Sequence, residues 1–368
     1  PRRPLRLTAV DVEPGRITWP DLLTVLVGGS DLTLEQAQWA MNEVMRGEAT
    51  PIQLAGFLMA LRVKGESVAE IRGLADVMLA HAHRIEVPGP TIDIVGTGGD
   101  RQNTVNISTM SAIVMAASGV RLVKHGNRAA SSSSGSADVL EALGVDLTLP
   151  PEQVRQVALE AGITFCFANA FHPAMRHAAP ARSGLGVATA FNLLGPLTNP
   201  AQPTWTAVGV ADKRYAPIIA GVFASRGTDA AVFRGRDGLD ELTVSDVSDL
   251  WWVRNGEVSE LQITPEAVGV RRHPLDDLRG GDAVQNAAVV RAVLSGEEGA
   301  ARQAVLLNAG AALAVASGAA DATSEAITAA IAAGVRRAAE TIASGAALAT
   351  LDGWVAATRR LAGQQHRP

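Results

Sequence analysis

The stretch from Asp93 to Ser136 constrains this chain more than any other. It contains DIVGTGGD, then NTVNISTM, then VKHGNRAASSSSGS. Ile92, Ile94 and Val95 read as the end of a buried strand, and Gly96, Gly98 and Gly99 follow at once. Glycine permits positive φ and lets backbone N–H groups approach a ligand closely. Ser108 and Thr109 open a second apolar run, Ile113 to Ala117, with helical spacing. Strand, glycine turn and a hydroxyl-capped helix start predict an anion site. The pattern then repeats: strand Val120 to Val123, Lys124 as a fixed charge, Gly126, Asn127 and Arg128, and the serines from Ser131 to Ser134. Taken singly, a glycine turn is punctuation and a Ser/Gly run a flexible loop. The two cradles together point to a ligand with two phosphate-bearing ends. Neither has the Walker A order or a complete GxGxxG, which disfavours nucleoside triphosphates and dinucleotides.

A chain of 368 residues has room for two domains. Its composition is 47% hydrophobic but only 4% aromatic, so the core is expected to be Ala, Val, Leu and Ile, as suits helices on a parallel sheet. With 32 basic and 37 acidic residues the net charge is −5, which disfavours general nucleic-acid binding. The single cysteine, Cys166, lies in the apolar run Ile163 to Phe167 and reads as a buried thiol rather than a nucleophile. No charge-free apolar run is long enough to span a bilayer and no hydrophobic signal core follows a basic N-terminus, so a cytoplasmic protein with no membrane partner is expected. Residues 1–15, rich in Pro and Arg, are assigned no fold.

Residues 16–84 carry helix signals. Thr33 with Gln36, Thr50 with Gln53, and Ser67 with Glu70 have capping-box spacing, and Pro51 suits the first helical position. Gly28 and Gly29, Gly47 and Gly65 supply the stops. Pro88, Gly89 and Pro90 then mark a boundary. Beyond it strands at 92–95, 120–124, 163–167, 206–210 and 229–233 alternate with helices at 108–118, 136–143, 152–161, 173–181 and 215–225, which predicts a mostly parallel sheet covered by helices. Residues 249–263 read as a hairpin turning at Asn255 and Gly256. From Asp282 to Leu361 the chain is alanine-rich and helical, with Asp282, Gly318 and Asp321 as caps or stops. The predicted class is α/β: a small helical domain at 16–87, completed by part of 170–200, and a large α/β domain at 88–368.

Two further regions carry chemistry. Phe171 to Pro200 holds His172, Arg176, His177 and Arg182 ahead of a Gly/Pro/Asn end. Arg182 is the candidate for an anionic substrate, because a planar guanidinium holds a carboxylate through two parallel bonds. In GRDGLDELTVS, Asp240 and Glu241 follow a turn at the carboxyl end of a strand, where open α/β sheets place ligands. Alone they would be an acidic surface loop. Beside a polyphosphate site they become Mg²⁺ donors, since Mg²⁺ prefers a few oxygens shared with phosphate and water.

The motifs GTGGD (96–100), NIST (106–109), KHGNR (124–128), SGSAD (134–138), FHPAMRH (171–177), FNLLGPLTNP (191–200) and GLDEL (238–242) occur in this order. In that combination the chain resembles the anthranilate phosphoribosyltransferase family over nearly its full length. The resemblance implies a nucleoside-phosphorylase-like fold and a homodimer packed through the helical domain. It implies contacts to phosphoribosyl pyrophosphate at Gly96, Gly99, Asp100, Thr104, Asn106, Ile107, Ser108, Thr109, Lys124, His125, Gly126, Asn127, Arg128, Ala129, Ala130, Ser131, Ser132 and Ser136. Mg²⁺ would be held by Ser108, Asp240 and Glu241, and anthranilate contacted by Gly96, Asn127 and Arg182. Ser183, Ala188 and Arg234 depart from the residues frequent in relatives, near the aromatic-substrate path.

The implied reaction is attack of the anthranilate amine on the anomeric carbon of phosphoribosyl pyrophosphate, the second step of tryptophan biosynthesis. An arylamine is unprotonated near neutrality, so leaving-group stabilisation by Mg²⁺, the 96–100 backbone and Lys124 should dominate. Arg182 would position the substrate. Either His125 or His172 could take the departing proton. Two rivals are a pyrimidine nucleoside phosphorylase, which needs no acidic Mg²⁺ pair, and a nucleic-acid-binding relative, which would want a basic surface.

Overall fold

The computed structural model describes residues 17–129, 133–318 and 323–365. Ala130, Ser131, Ser132 and Asp321, singled out above, lie outside the described residues.

The described residues begin with α1 (Trp19–Val27), α2 (Leu34–Arg46), α3 (Pro51–Lys64) and α4 (Val68–Ala80). All three expected capping boxes form: Thr33 with Gln36, Thr50 with Gln53, and Ser67 with Glu70. Glu70 does more than cap. Fully buried, it also accepts from the Leu32 N–H at 2.9 Å and from Lys64 Nζ at 2.9 Å, so the start of α4 is tied to the entry of α2 and the end of α3. Trp19 packs edge-on against Trp39 and Phe57, at 5.4 and 5.6 Å between ring centroids.

The α/β part opens with β1 (Ile92–Gly96), α5 (Ile107–Ala117), β2 (Leu122–Gly126), α6 (Ser136–Leu143), α7 (Pro151–Ala161) and β3 (Ile163–Phe167). A short α8 (Ala168–Phe171) precedes a 3₁₀ turn at Pro173–His177, then α9 (Ala179–Leu185) and α10 (Phe191–Leu194). There follow β4 (Trp205–Gly209), α11 (Ala216–Arg226), β5 (Asp229–Gly235), β6 (Ser248–Arg254) and β7 (Glu257–Ile263). Four helices end the chain: α12 (Ala283–Leu294), α13 (Ala300–Ala316), α14 (Ser324–Ala343) and α15 (Ala346–Gln365). By compactness, the helices up to His81 together with Pro173–Leu194 form one unit, and Ala82–His172 with Gly195 onward form the other.

The seven strands lie in the order β3-β2-β1-β4-β5-β6-β7. The first five run parallel and the last two antiparallel, joined by a hairpin in which Asn255 and Gly256 both have positive φ. Cys166 is fully buried on β3, and burial pushes its thiol pKa up, as expected of an inert core thiol. Among the described residues no helix is long and apolar enough to cross a membrane.

Three local expectations need correction. The second strand starts at Leu122 rather than 120, because the Val120 N–H still bonds the Met115 carbonyl across the end of α5, with Gly119 at φ 93°. The helix expected over 173–181 is broken: Pro180 lacks an N–H and its ring would meet the carbonyl one turn back. Finally, α5 is not hydroxyl-capped. Its N-cap is Asn106, which makes no capping bond, and Ser108 and Thr109 lie inside the first turn.

Candidate active site

β1, β2, β4 and β5 all end in glycine, at Gly96, Gly126, Gly209 and Gly235, along the carboxyl edge of the sheet. Over that edge folds the β5–β6 connection. The Gly98 N–H donates to Asp240 Oδ2 at 2.7 Å. A Cβ on Gly96 would collide with the Asp240 carboxylate, and one on Gly209 with the Asp240 carbonyl. Gly209 carried no signal in the sequence; its role is visible only once β4 lies beside β1 in the sheet.

The acidic loop is held by its own side chains. Asp237 accepts from the Leu239 N–H at 3.1 Å and from the hydroxyls of Thr243 and Ser245. Asp240 and Glu241, adjacent in sequence, therefore both reach the same cluster, which Asp100 completes. Burial, Asp100 and Glu241 push the Asp240 pKa well up, against the pull of the Gly98 N–H. Glu241, 7% exposed, is raised to about 8 by burial and Asp100, opposed by Lys124 and the Ser108 N–H. A site that holds Asp240 and Glu241 this unwillingly as anions can take a cation. Donors are at hand in Asp240, Glu241 and the Ser108 hydroxyl. Among the described residues no group of three His, Cys, Asp or Glu side chains could by itself hold a metal ion. Mg²⁺ takes one or two carboxylates and completes its shell with phosphate and water.

Lys124, 1% exposed on β2, puts Nζ 2.5 Å from the Ile94 carbonyl and 3.2 Å from Ser108 Oγ. Burial lowers its pKa, while Asp93, Glu241 and Asp240 oppose that shift. It is the internal counter-charge of the cluster rather than a surface lysine.

The first cradle is the 96–108 segment. Gly98 and Gly99 are exposed with positive φ, and Thr104 bridges to Arg279. Asn106 donates to the Ser134 carbonyl at 3.1 Å and accepts from Asn286 at 2.9 Å, which joins it to the second cradle. Ile107 and Thr109 are buried, so neither side chain is open to a ligand. In the second cradle Asp138 accepts from the N–H groups of Ala129 and Gly135, at 2.9 and 2.8 Å, closing the loop that leads to Ser136 at the start of α6. Asn127 is exposed and accepts from the Arg128 N–H. The Arg128 guanidinium is engaged by Asp138 and Glu141 rather than extended into the cradle.

Beneath the site lies a polar layer the sequence did not suggest. Asp93, fully buried on β1, accepts from Asn199 Nδ2 at 2.8 Å and from the His125 N–H at 3.3 Å. His125 Nδ1 meets the Gly195 carbonyl and His172 Nε2 the Thr198 carbonyl, each at 3.0 Å. The segment Gly195–Asn199 is thereby fastened under the sheet. Burial and the neighbouring His172 lower the His125 pKa to about 3, so this ring stays neutral and is a poor proton acceptor at neutral pH.

Burial also raises Asp93 from 3.8 to about 6, although Lys124 and Asn199 pull it down. A carboxyl with a raised pKa binds its proton more tightly in the native state. Its stabilising contribution is complete at low pH and disappears as pH rises through 6. Asp93→Asn abolishes that titration. Relative to the parent, its stability is expected to shift in the variant's favour by roughly 2 kcal/mol between pH 4 and 7. Urea midpoints at the two pH values check this; an unchanged difference would mean Asp93 does not titrate there.

Arg182 belongs to the helical unit. It is exposed, lies 5.5 Å over the Phe191 ring, and has no ion pair among the described residues. Burial of part of the guanidinium lowers its pKa. Ser183 and Ala188 are exposed, and Arg234 donates to the Ala211 carbonyl at 2.9 Å.

Residues 88–348 match the model of the glycosyl transferase family α/β domain, and residues 20–82 that of the family's helical bundle domain. An anthranilate phosphoribosyltransferase of a Nocardioides species is 60% identical over 343 residues, 93% of this chain and 99% of that protein. This chain belongs to the anthranilate phosphoribosyltransferase family. The crystal structure of the family member from Thermus thermophilus superposes with a TM-score of 0.85 at 43% identity, covering 92% of this chain and 99% of that one. The Saccharomyces cerevisiae member in complex with phosphoribosyl pyrophosphate and Mg gives 0.83 at 27% identity, covering 93% and 98%.

Proposed function

We propose that this chain transfers the 5-phosphoribosyl group from phosphoribosyl pyrophosphate to the amine of anthranilate. The products are N-(5-phosphoribosyl)anthranilate and pyrophosphate, and Mg²⁺ is the cofactor. This is the second step of tryptophan biosynthesis from chorismate. Family membership supports the reaction. The observation that carries it is the packing of Asp240 and Glu241 against the glycine turn after β1, with Lys124 as internal counter-charge.

Gly96, Gly99, Asp100, Thr104, Asn106 and the first turn of α5 take the pyrophosphate end of the donor. Asn127, Ser136 and the loop between them take the other phosphate. When bound, Mg²⁺ neutralises charge that builds on pyrophosphate as it leaves. Asp240, Glu241 and the Ser108 hydroxyl hold it there. Lys124 adds positive potential, and the N–H groups of Gly99 and Asp100, unlike those of Thr97 and Gly98 that bond Gly209 and Asp240, would donate to the departing oxygens. The arylamine needs no strong base, so a neutral His125 is no obstacle.

Arg182 holds the anthranilate carboxylate and so aims the amine at the anomeric carbon. Arg182→Ala is expected to raise the KM for anthranilate by roughly thirtyfold, about 2 kcal/mol for a charge-assisted pair. The KM for phosphoribosyl pyrophosphate should change little; a loss confined to that substrate would overturn the assignment.

The helical unit and the α/β unit are the two domains of the enzyme. A homodimer through the helical domain is supported by α3. Leu54, Phe57, Leu58 and Leu61 are buried on one face, while Ile52 and Val63 are 86% and 83% exposed on the other, with Gly56 between them. Such a stripe suits a second copy. The cytoplasm, where both substrates would be made and used, is the proposed location.

The direct test follows the disappearance of anthranilate fluorescence. Turnover is expected only with anthranilate, phosphoribosyl pyrophosphate and Mg²⁺ together. Phosphorolysis of pyrimidine nucleosides with no such turnover would replace this reading with a phosphorylase.

A further inference from the structure

The alanine-rich helix α13 is apolar around almost its whole circumference, yet it carries Asn308, which is completely buried. A buried asparagine is unfavourable on two counts: it is a poorer helix former than alanine, and an unbonded amide loses its hydration. Here every N–H is used. Nδ2 donates to the Leu242 carbonyl and to the Ala304 carbonyl, each at 2.9 Å, and Oδ1 accepts from the Leu242 N–H at 2.9 Å. Asn308 thus pairs with the Leu242 peptide as a neighbouring strand would. The amide cannot be flipped, since that would set donor against donor.

Leu242 directly follows Glu241. Asp237 fixes the loop from the solvent side through Leu239, Thr243 and Ser245, and Asn308 fixes it from the core. We propose that Asn308 is a positioning residue for the acidic pair: its amide sets the peptide after Glu241 so that the Asp240 and Glu241 carboxylates converge for a divalent cation. Asn308 touches no reacting group and acts only through the backbone of Leu242. The inference rests on the metal role proposed above for Asp240 and Glu241.

The test compares Asn308→Leu, which keeps the branched shape but orphans the Leu242 N–H and carbonyl, with Leu313→Ala, a cavity at a buried apolar position five residues further along the same helix. Asn308→Ser serves if the leucine variant does not fold. Three readings are taken on each: the thermal midpoint, the affinity for Mn²⁺ by electron paramagnetic resonance with phosphoribosyl pyrophosphate present, and the Mg²⁺ concentration for half-maximal rate. Loss of a group that orients metal ligands costs on the order of tenfold in metal affinity. An Asn308 variant is expected to show at least that loss in Mn²⁺ affinity and Mg²⁺ requirement, with the KM for anthranilate within about twofold of the parent. Leu313→Ala should lower the midpoint and leave the metal readings unmoved. The proposal is overturned if the Asn308 variants lose only thermal stability, or if both sites shift the metal readings equally. If the parent itself binds no Mn²⁺ and turns over without Mg²⁺, the metal role of the acidic pair fails, and this inference with it.

Discussion

Replacing Asp240 and Glu241 together by Asn and Gln is expected to lower kcat/KM by about three orders of magnitude, roughly 4 kcal/mol of transition-state stabilisation. The shape of the loop should survive. The amide introduced at position 240 would still accept from the Gly98 N–H through its carbonyl oxygen, and the raised carboxyl pKa values mean that neutral side chains are no harder to bury here than the parent's charges. Folding stability without Mg²⁺ is therefore expected to hold or rise while activity collapses. Initial rates across a Mg²⁺ titration, paired with a thermal melt, separate the two. Activity that persists at limiting Mg²⁺ would remove the metal from these residues. A collapse of the melt alongside the rate would mean that the carboxylates are structural. The opposite signs expected for activity and stability follow from geometry: the carboxylates are buried together where their charged forms are costly until a cation arrives.

That geometry was half legible in the chain. Local signals carried far: three capping boxes, the Asn255–Gly256 turn and the strand at 163–167 depend on residues a few positions apart, and the structure places them where the spacing put them. The acidic pair and the glycine turn were also legible, because both sit at strand ends and a parallel sheet gathers such ends on one edge. What stayed hidden depends on distant partners. Asp93 reads as one polar residue in an apolar strand until Asn199 arrives beside it. Asn286 and Asn308, within helices that read only as alanine bias, acquire meaning from Asn106 and Leu242, which are 180 and 66 residues away in the chain. Gly209 resembles any strand glycine until Asp240 lies against it. Among the local misreadings, the hydroxyl cap on α5 arose because Ser and Thr are good caps in general. Here Asn106 occupies the cap position, and its side chain is drawn to Ser134 and Asn286 instead.

Lys124→Met is expected to lower stability by about 3–5 kcal/mol at neutral pH, the cost of removing one partner from a buried charge cluster, and to abolish turnover. Its pH dependence identifies the cause. Lys124 pulls the pKa values of Asp93 and Glu241 down from where burial would put them, and even so they stand at about 6 and about 8. Without the ammonium both rise further above their unfolded values of 3.8 and 4.5, so the native variant holds protons that the unfolded chain has released. By linkage its stability must fall as pH rises through that interval. The deficit should therefore be smallest near pH 5 and widen toward pH 8. Urea midpoints of parent and variant across that range read it directly. A deficit that stays constant with pH would mean that Lys124 acts only by filling space between β2 and α5, and the electrostatic account of the site would have to be abandoned.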